Sequence, residues 1–361
     1  MTQREKQILD IIRANPMISQ QELADTLQIT RSSVAVHISN LLKKGYIVGK
    51  GYVLGSGSYA AVVGGVNVDI GGRSFRALRP ADSNPGSVSI SLGGVGRNIA
   101  HNMALLGVQT RLLTAWGEDA NGKLFSDSCA ELGIDITHGL KVPGAATSTY
   151  LYIADEQGEM ALALSDMSIC EHITPEYLAK QLPVLQNAQV VVMDANLPEE
   201  SIRFLAENCK APIFCDPVSV TKANKLAQVL DKIHTLKPNR LEAEFLTGIS
   251  ITDKASAQKA AQALLAKGVK RVFLSMGSDG VLAAQGDQVL WQGNLPGKMV
   301  NTTGCGDAFT AALVWAYLQE ADLQKTTLAG LAAASVAMES STTINPGMSE
   351  DALKERMNIN L

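Results

Sequence analysis

The chain has 361 residues, more than the roughly 100 to 200 residues of one ordinary domain, so two domains or one large α/β domain is expected. Apolar residues make up 46% of it and charged residues 18%, a composition that excludes an intrinsically disordered protein. No apolar run approaches the ~20 residues that span a bilayer, and the amino terminus is charged, so neither a membrane segment nor export is predicted. Five scattered cysteines favour reduced thiols, and the protein is expected in the cytoplasm.

Residues 1–58 differ from the rest of the chain in charge and in pattern. They carry seven Lys/Arg and four Asp/Glu, a net of +3, which leaves −7 for the remainder of a chain whose total is −4. A helical apolar pattern around Ile8 ends at Pro16, Ser19 begins a capping box, and Thr30 caps a third helix that reaches Lys44. Residues 46–54, with two glycines, predict a tight β-hairpin. These elements predict a winged helix-turn-helix over residues 1–55.

Residues 21–38 resemble the helix-turn-helix of many bacterial regulators. The resemblance implies that the third helix binds DNA, with polar side chains on its solvent side near base edges: Arg31, Ser32, Ser33 and His37. Three lysines would contact phosphates: Lys43, Lys44 and Lys50. A three-helix domain that docks on the rest of the chain or on a partner stays open as the alternative, because +3 is a modest charge for a nucleic-acid module.

After a short Gly-Ser joint at 55–58 the pattern becomes that of an α/β domain over residues 59–361. Strand-like runs at 60–65, 190–193, 212–215 and 271–274 alternate with helical runs such as 255–267 and 328–338. Alternating stretches at 71–92 and 147–164 predict antiparallel strands, which could form a small lid sheet over a site.

The segment at 301–313 carries the most chemistry. Gly304 and Gly306 flank Cys305 just before an apolar helix, so backbone N–H groups can converge where the helix dipole favours an anion. Asp307 follows in the first turn, where a carboxylate suits a general base that removes a proton from a substrate hydroxyl as a phosphoryl group arrives. On this segment alone, a mere helix-capping role for Asp307 is the alternative.

This segment resembles the carboxyl-terminal signature of the ribokinase, or PfkB, family of carbohydrate and nucleoside kinases. Five further stretches resemble family motifs in the same order, at 65–69, 92–100, 116–122, 237–242 and 275–280. The stretch at 92–100 departs from the family pattern Gly-Gly-Lys-Gly-Ala-Asn-x-Ala at Val95 and Arg97. The resemblance implies a ribokinase-like three-layer α/β sandwich with a small β-sheet lid, and a kinase that uses ATP and Mg²⁺.

The resemblance also implies roles for individual residues. The hydroxyls of a furanose would be held by Asn67, Asp69, Gly93, Gly94 and Asn98, and Asp82 on the lid, with Ser83 and Asn84, would meet a nucleobase edge. ATP would lie against Asn239, Ser275, Gly277, Asp279, Gly280 and Gly306, with Asn239 and Glu242 ordering the water shell of Mg²⁺. The catalytic set would be Asp307 as base, with the backbone amides of Gly304, Cys305 and Gly306 stabilising charge on the transferred phosphoryl group.

Within the family, residues 81–100 and 233–244 resemble bacterial pseudouridine kinases most, which implies transfer to the 5′-hydroxyl of a nucleoside's ribose. A sugar kinase for another furanose and a regulator that senses a nucleoside or sugar without turnover stay open. Asn301 stands where the family often has Asp, near a loop that binds a monovalent cation in many members, so a requirement for K⁺ is not expected. Lid strands often pair between subunits in this family, which implies a homodimer.

Overall fold

The computed structural model describes residues 1–16, 18–49 and 58–357. They form two compact units, Met1–Tyr59 and Ala60–Leu361. Over the described ranges, no helix combines the length and the apolarity that crossing a bilayer requires.

The described part of the first unit contains three helices: α1 (Gln3–Ala14), α2 (Gln20–Leu27) and α3 (Arg31–Lys43). Their apolar faces meet in one small core, made by Ile8, Leu9, Ile12, Ile18, Leu23, Ala24, Val34, Ile38, Leu41 and Ile47. This is the three-helix arrangement that the sequence predicts. The hairpin predicted over 46–54 lies for the most part outside the described residues, as does Lys50.

Local capping chemistry fixes where these helices begin. The Ser19 hydroxyl accepts from the Glu22 amide while the Glu22 carboxylate accepts from the Ser19 amide, so the predicted capping box is present. Thr30 caps α3 through the amide of Ser33, again as predicted. An ion pair of 2.8 Å between Lys44 Nζ and Glu5 Oε2 then ties the end of α3 to α1.

The second unit alternates strands and helices. Its strands are β1 (Ala60–Val63), β2 (Asn67–Ser74), β3 (Gly86–Gly93), β4 (Thr110–Leu113), β5 (Ala115–Gly117), β6 (Leu140–Val142), β7 (Thr149–Ala154), β8 (Met160–Asp166), β9 (Val190–Asp194), β10 (Ile213–Asp216), β11 (Thr235–Leu236), β12 (Arg271–Ser275), β13 (Val281–Gln285) and β14 (Gln288–Gln292). Its helices are α4 (Val95–Leu105), α5 (Ala120–Leu132), α6 (Pro175–Asn187), α7 (Glu199–Asn208), α8 (Val220–Ala223), α9 (Arg240–Thr247), α10 (Lys254–Ala266), α11 (Cys305–Leu318), α12 (Leu323–Ala337) and α13 (Glu350–Met357).

The main sheet has eight strands in the order β14-β13-β12-β11-β10-β9-β1-β4. The strands from β4 to β12 run parallel, and β13 and β14 complete one edge as antiparallel strands. Strands β1, β9 and β10 are buried along their whole length, as expected for parallel strands covered by helices on both faces. One face packs with α4, α5, α11 and α12 into a continuous apolar core, and the alternate strand residues are buried on the other face. This is the predicted three-layer α/β sandwich.

A separate four-stranded sheet, ordered β3-β2-β7-β8, forms the lid. The pairs β2–β3 and β7–β8 are antiparallel as predicted, whereas β2 and β7 run parallel to each other. The expectation of an entirely antiparallel lid is therefore wrong at its centre. The reason is topological, because α4, α5 and three strands intervene between the two hairpins and return the chain to the same end of the sheet.

Candidate active site

The site lies at the carboxyl edge of the parallel strands, where α/β folds place ligands. Asp194 is the last residue of β9, Asp216 is the last residue of β10, and Lys237 directly follows β11. All three are buried charged residues at adjacent strand ends. None of them is among the site residues predicted from the sequence, although an aspartate that ends a fully apolar strand is a signal that could have indicated two of them.

Asp194 joins the two loops that hold the predicted substrate residues. Its Oδ2 accepts hydrogen bonds from the amides of Gly65 (2.9 Å) and Gly96 (2.7 Å). The Gly65 carbonyl in turn accepts from the Arg97 amide, so the loop after β1 and the start of α4 are locked together. This close approach explains the glycines: a Cβ at Gly94 would lie 2.6 Å from the Gly65 oxygen, and Gly94 has a φ of +95°.

Most of the predicted hydroxyl-binding residues lie together at the start of the lid, whereas Asn98 lies in the first turn of α4. Asn67 Nδ2 donates to Asp69 Oδ1 at 2.5 Å, and Asn67 pairs in register with Gly93. A Cβ at Gly93 would lie 2.4 Å from Asp69 Oδ2, so only glycine leaves room for this carboxylate. Burial raises the pKa of the Asp69 carboxyl, and the bond from Asn67 counteracts it. The result is a half-buried carboxylate with one oxygen fixed by the protein and the other turned toward Gly93.

Asp307 lies in the first turn of α11 but does not cap it. The cap position is held by Gly304, with a φ of +83° and no side-chain cap bond. Asp307 Oδ2 instead accepts from Asn98 Nδ2 at 2.9 Å, across the contact between α4 and α11. The helix-capping alternative therefore does not describe this carboxylate, and the hydrogen bond joins the predicted base to the start of α4.

The surroundings of Asp307 favour its protonated form. Burial raises its pKa to about 8, and the nearby Asp216 carboxylate acts in the same direction. The bond from Asn98 and the charge of Lys237 lower the pKa but do not outweigh burial. A carboxyl group with a pKa close to physiological pH is well matched to general base catalysis.

The backbone amides at the start of α11 are not equivalent. The Cys305 amide donates to the Thr302 carbonyl at 3.3 Å, whereas those of Gly304 and Gly306 have no acceptor among the described residues. The role of all three amides in holding an anion stays a prediction, with the Cys305 amide also engaged within the protein. Its thiol is half-buried, and burial raises its pKa.

Lys237 supplies a cation at this same point. Its Nζ lies 3.2 Å from Asp216 Oδ2 and 3.2 Å from where a Cβ on Gly306 would be. Burial opposes its charge, but the Asp216 and Glu242 carboxylates outweigh burial and raise its pKa. Asp216 is held by the amide of Val218 at 2.8 Å and faces Thr310 of α11. Lys237 is therefore a fixed ammonium group beside the free Gly306 amide.

A cleft of about 820 Å³ extends from this point and has the size of a nucleotide site. It is lined by every residue predicted to bind ATP: Asn239, Ser275, Gly277, Asp279, Gly280 and Gly306. Apolar residues of α11 and α12 and of the position just after α12 also line it: Phe309, Leu331, Ala334 and Met338. Lys237 and Gly306 line the cleft as well, and Gly306 is next to Asp307 in the chain.

Asn239 and Glu242 form a capping box at the start of α9. The Asn239 amide donates to Glu242 Oε2, and the Glu242 amide donates to Asn239 Oδ1, both at 2.9 Å. Asn239 lines the cleft, whereas Glu242 is only 3% exposed behind it. Within the part of the chain that the structure describes, no group of three or more His, Cys, Asp or Glu could hold a metal ion. The pair fits an ion that keeps most of its water, as Mg²⁺ does.

Asp82 is the one predicted substrate residue that the structure separates from the others. It lies in the exposed loop at the far end of the β2–β3 hairpin, and Asp69 is near the other end. At a rise of about 3.3 Å per residue, the part of β2 between Asp69 and Ser74 spans roughly 17 Å. Asp82 accepts from the Ser83 amide, and the Asn84 amide group donates to the carbonyls of Arg79 and Asp82. These side chains shape their own loop, as polar turn residues do.

In the first unit, the polar residues at the start of α3 are exposed as predicted: Arg31, Ser32 and Ser33. His37 is half-buried, and its Nδ1 is buried with no hydrogen-bond partner in the described residues, so its placement on the solvent side is corrected. Lys43 is exposed, whereas Lys44 is engaged by Glu5.

Known families match both parts of the chain. Residues 58–351 match the model of the pfkB family carbohydrate kinases, and residues 1–48 match a model described as winged helix-turn-helix DNA-binding. YeiI of Escherichia coli K12, named an uncharacterized sugar kinase, is 38% identical over 97% of this chain and 98% of its own length. The pseudouridine kinase of E. coli K12 is 39% identical over 81% of this chain and 94% of its own length.

Solved structures of kinases have the same fold as residues of the second unit. A sugar kinase structure from Clostridium perfringens is 33% identical, with a TM-score of 0.77 over 84% of this chain and 96% of that one. Arabidopsis thaliana ribokinase, solved with ribose and ATP, shares the fold with a TM-score of 0.76 at 24% identity, over 84% and 99% of the two chains. Kinases of this family use ATP as phosphoryl donor. With most of its length matched by the family model and its kinase motifs gathered at one sheet edge, the chain belongs to the PfkB family of carbohydrate and nucleoside kinases and carries a winged helix-turn-helix at its amino terminus.

Proposed function

We propose that this chain transfers the terminal phosphoryl group of ATP to the 5′-hydroxyl of a nucleoside's ribose, with pseudouridine as the favoured substrate. One observation carries the proposal: Asp307 lies where two sites meet. Its carboxylate accepts a hydrogen bond from Asn98, in the first turn of α4 beside the proposed substrate residues, and its neighbour Gly306 lines the nucleotide cleft. The 39% identity to an E. coli pseudouridine kinase supports the choice of substrate.

Each group of the site then has a task. Asp69 accepts hydrogen bonds from the ribose hydroxyls. Ionised Asp307 takes the proton of the 5′-hydroxyl while the hydroxyl oxygen forms its bond to the γ-phosphorus and the bond to ADP breaks. The free amides of Gly304 and Gly306 and the Lys237 ammonium stabilise charge on the transferred group. Mg²⁺, held through water by Asn239 with Glu242 behind it, would neutralise phosphate charge.

The lid supports a nucleoside over a free sugar. On the sheet face that carries Asp69, one row across the four strands reads Ser91, Asp69, Tyr150 and Ser165. In the next row the Tyr152 ring lies over Gly71, where a Cβ would be 2.4 Å from the ring. Hydroxyl groups and an aromatic ring beyond the ribose carboxylate suit a flat base with a polar edge. A free pentose would leave these groups unused.

ADP release with magnesium-ATP tests the proposal across pseudouridine, uridine, inosine, adenosine, ribose and fructose. We expect kcat/KM for one nucleoside to exceed that for ribose by about tenfold or more. A preference for ribose or fructose would identify a kinase of another furanose. Absence of turnover across the panel, with thermal stabilisation by a nucleoside, would favour a sensing regulator instead.

Replacing Tyr152 with alanine should raise KM for the nucleoside by roughly tenfold, because the ring that would pack against the base is removed. KM for ATP and the kcat for ribose should stay unchanged, since the nucleotide cleft lies on other elements. Steady-state kinetics measure both. Phe75→Ala, which removes an exposed ring at the far end of the neighbouring β2–β3 hairpin of the lid, is the matched control. An equal loss with ribose would contradict a base-binding role.

Catalysis without K⁺ is a further part of the proposal. Asn301 uses both ends of its amide within the protein: Nδ2 donates to the Ser341 carbonyl at 3.3 Å, and Oδ1 accepts from the Thr303 amide at 3.0 Å. The Asn301 side chain therefore joins the segment before α11 to the segment after α12. Turnover with Na⁺ or choline in place of K⁺ should agree within about twofold, because an amide needs no counter-ion. A large activation by K⁺ alone would refute this.

A homodimer is proposed from the other face of the lid. Seven apolar side chains cover that face: Ile70, Val88, Ile90, Leu151, Ile153, Leu162 and Leu164. Val88 is 73% exposed and Leu164 is 63% exposed, so a continuous apolar surface faces outward. A second copy supplies a surface of the same chemistry, as a two-fold interface requires.

Leu162→Asp should therefore convert a dimer into a monomer, because it places a charge on the apolar face, on its edge strand β8. Sedimentation velocity on the full chain measures the change. Leu124→Asp, on the exposed side of α5, makes the same substitution outside the lid and should leave the dimer intact. A wild-type protein that stays monomeric at tens of micromolar would exclude the proposed dimer.

We also propose DNA binding by the first unit, on the basis of the family match over residues 1–48 and the exposed start of α3. A mobility-shift assay with the full chain and a library of genomic fragments, with and without nucleoside, tests it. Arg31→Ala should abolish specific retention, whereas Arg4→Ala, an exposed arginine of α1, should not. No specific retention under any condition would leave only the kinase.

A further inference from the structure

Arg97 is a buried cation without an ion pair in the described part of the chain. It is 5% exposed, and none of the carboxylates that the structure describes lies within ion-pair distance of its guanidinium, whose hydrogen bonds go to neutral groups. Burial lowers its pKa to about 10, while Cys129 and Asp69 act in the opposite direction. Holding an unpaired charge in the interior costs free energy. This residue also stands where the family pattern has alanine. A buried arginine at this position therefore needs a functional explanation, which its contacts can supply.

The hydrogen bonds of Arg97 lead to Asp307, the proposed general base. Arg97 Nη1 donates to Asn98 Oδ1 at 3.3 Å and to the Leu92 carbonyl at 3.4 Å, and Nη2 donates to Ser128 Oγ at 3.3 Å. The other end of the Asn98 amide, Nδ2, donates to Asp307 Oδ2 at 2.9 Å. A continuous chain of hydrogen bonds thus runs from α5 through Arg97 and Asn98 to Asp307.

We infer that Arg97 is a positioning residue that fixes the Asn98 amide with its nitrogen toward Asp307. The inference rests on the proposed function, in which Asp307 is the general base. A guanidinium can only donate hydrogen bonds, and of the two ends of the Asn98 amide only Oδ1 can accept one, so Arg97 contacts Asn98 through Oδ1. Turned over, Asn98 would present its oxygen to Asp307, and an ionised Asp307 would then face a second acceptor instead of a donor.

The orientation of the Asn98 amide affects the pKa of Asp307. The Asn98 bond lowers the pKa of Asp307, whereas burial and the Asp216 carboxylate raise it. The other charged groups near Asp307 are Lys237, which lowers its pKa, and Asp194, which raises it. These groups stand at the ends of β9, β10 and β11, and none of them is a hydrogen-bond partner of the Arg97 side chain. Removing Arg97 should therefore weaken one contact that stabilises ionised Asp307, its hydrogen bond from Asn98, and should leave its contacts with the other charged groups.

The test is the pH dependence of kcat/KM in Arg97→Ala, which has the residue of the family pattern. We expect the acidic limb to move up by about one pH unit, so that activity falls roughly tenfold at pH 7 and recovers toward the wild-type value as the pH rises. Arg97→Lys, which keeps a charge and a donor, should restore most of the profile. Lys123→Met, which removes an exposed cation from α5, is the matched control.

Recovery at high pH separates positioning from a general structural defect, which would lower activity at every pH. In an Asn98→Ala background, Arg97→Ala should cause no further shift, because its effect passes through that amide. An unshifted profile, or a shift of the same size in that background, would overturn the inference. If Arg97→Ala does not fold, Arg97→Met, which fills more of the same space, decides by the same criterion.

A second readout does not depend on turnover. The ¹³C carboxyl signal of Asp307, assigned by its loss in Asp307→Asn, can be titrated in wild type and in Arg97→Ala. A higher pKa in the variant supports the inference, and an unchanged pKa refutes it. Should no nucleoside or sugar be phosphorylated, the proposed function fails, yet this titration still decides whether Arg97 acts on Asp307.

Discussion

Asp307→Asn is expected to lower kcat by roughly 10²–10⁴-fold and to leave nucleoside binding nearly unchanged. Asparagine keeps the shape of the side chain and can still contact Asn98, but it cannot take the proton of the 5′-hydroxyl. In the wild type, kcat/KM should rise with pH through about 8, because burial holds the pKa of Asp307 near that value and only the ionised form accepts a proton. Steady-state kinetics and calorimetric titration with nucleoside measure the two effects.

The same substitution should raise stability at alkaline pH. The pKa of Asp307 is raised from 3.8 to about 8 on folding, so the wild type loses stability as the pH rises from about 4 to about 8. The asparagine variant has no such loss, and its Tm should exceed that of the wild type at pH 9 and match it near pH 4. Asp127→Asn, an exposed control on α5, should change neither property. Substantial turnover by Asp307→Asn would contradict the assignment of the base.

Lys237→Met is expected to lose both activity and stability. Removal of a cation beside the free Gly306 amide should lower kcat by roughly 100-fold or more, as losses of single charge-stabilising donors do. It also leaves Asp216 buried without its partner at 3.2 Å, and breaking a buried pair in this way costs about 3–5 kcal/mol. Kinetics with saturating nucleoside and urea unfolding measure the two losses.

The double variant Lys237→Met/Asp216→Asn separates the two roles. Neutralising Asp216 removes the uncompensated charge, so most of the stability should return while activity stays low. Lys232→Met, whose exposed lysine pairs with the neighbouring Asp231, makes the same substitution outside the site and should be silent. Return of activity together with stability would show that Lys237 serves only to neutralise Asp216.

Features that arise from short stretches of sequence could be predicted well. The caps at Ser19 and Thr30 each depend on residues within one turn, so the helix starts follow from local hydrogen bonding. The glycine loops that line the nucleotide cleft and the sheet edge likewise lie within a few residues of recognisable strands and helices. Uninterrupted apolar runs such as β9 predict buried parallel strands because both of their faces are covered.

Features that arise from long-range contacts could not be predicted. The motif at 237–242 is defined by Asn239 and Glu242, and nothing in it indicates a role for Lys237. That role depends on Asp216, which β10 places beside the lysine. Arg97 was recognised as a departure from the family pattern, but the bond between Asn98 and Asp307, 209 residues apart, gives it meaning. Similarly, the alternation of apolar and polar residues predicts that the lid segments are strands. The parallel pairing of β2 with β7, however, depends on the path of the chain between them.

The single-layer lid has a thermodynamic consequence. Asp69 and Ile70 are consecutive residues of β2, so the carboxylate proposed for the ribose and the apolar surface proposed for the second subunit stand on opposite sides of one strand. Anything that orders β2 from one side favours binding on the other, and linkage makes the two effects equal in free energy. Nucleoside should tighten self-association by the same factor by which self-association tightens nucleoside. The abundance of the protein would then set how steeply it responds to its substrate.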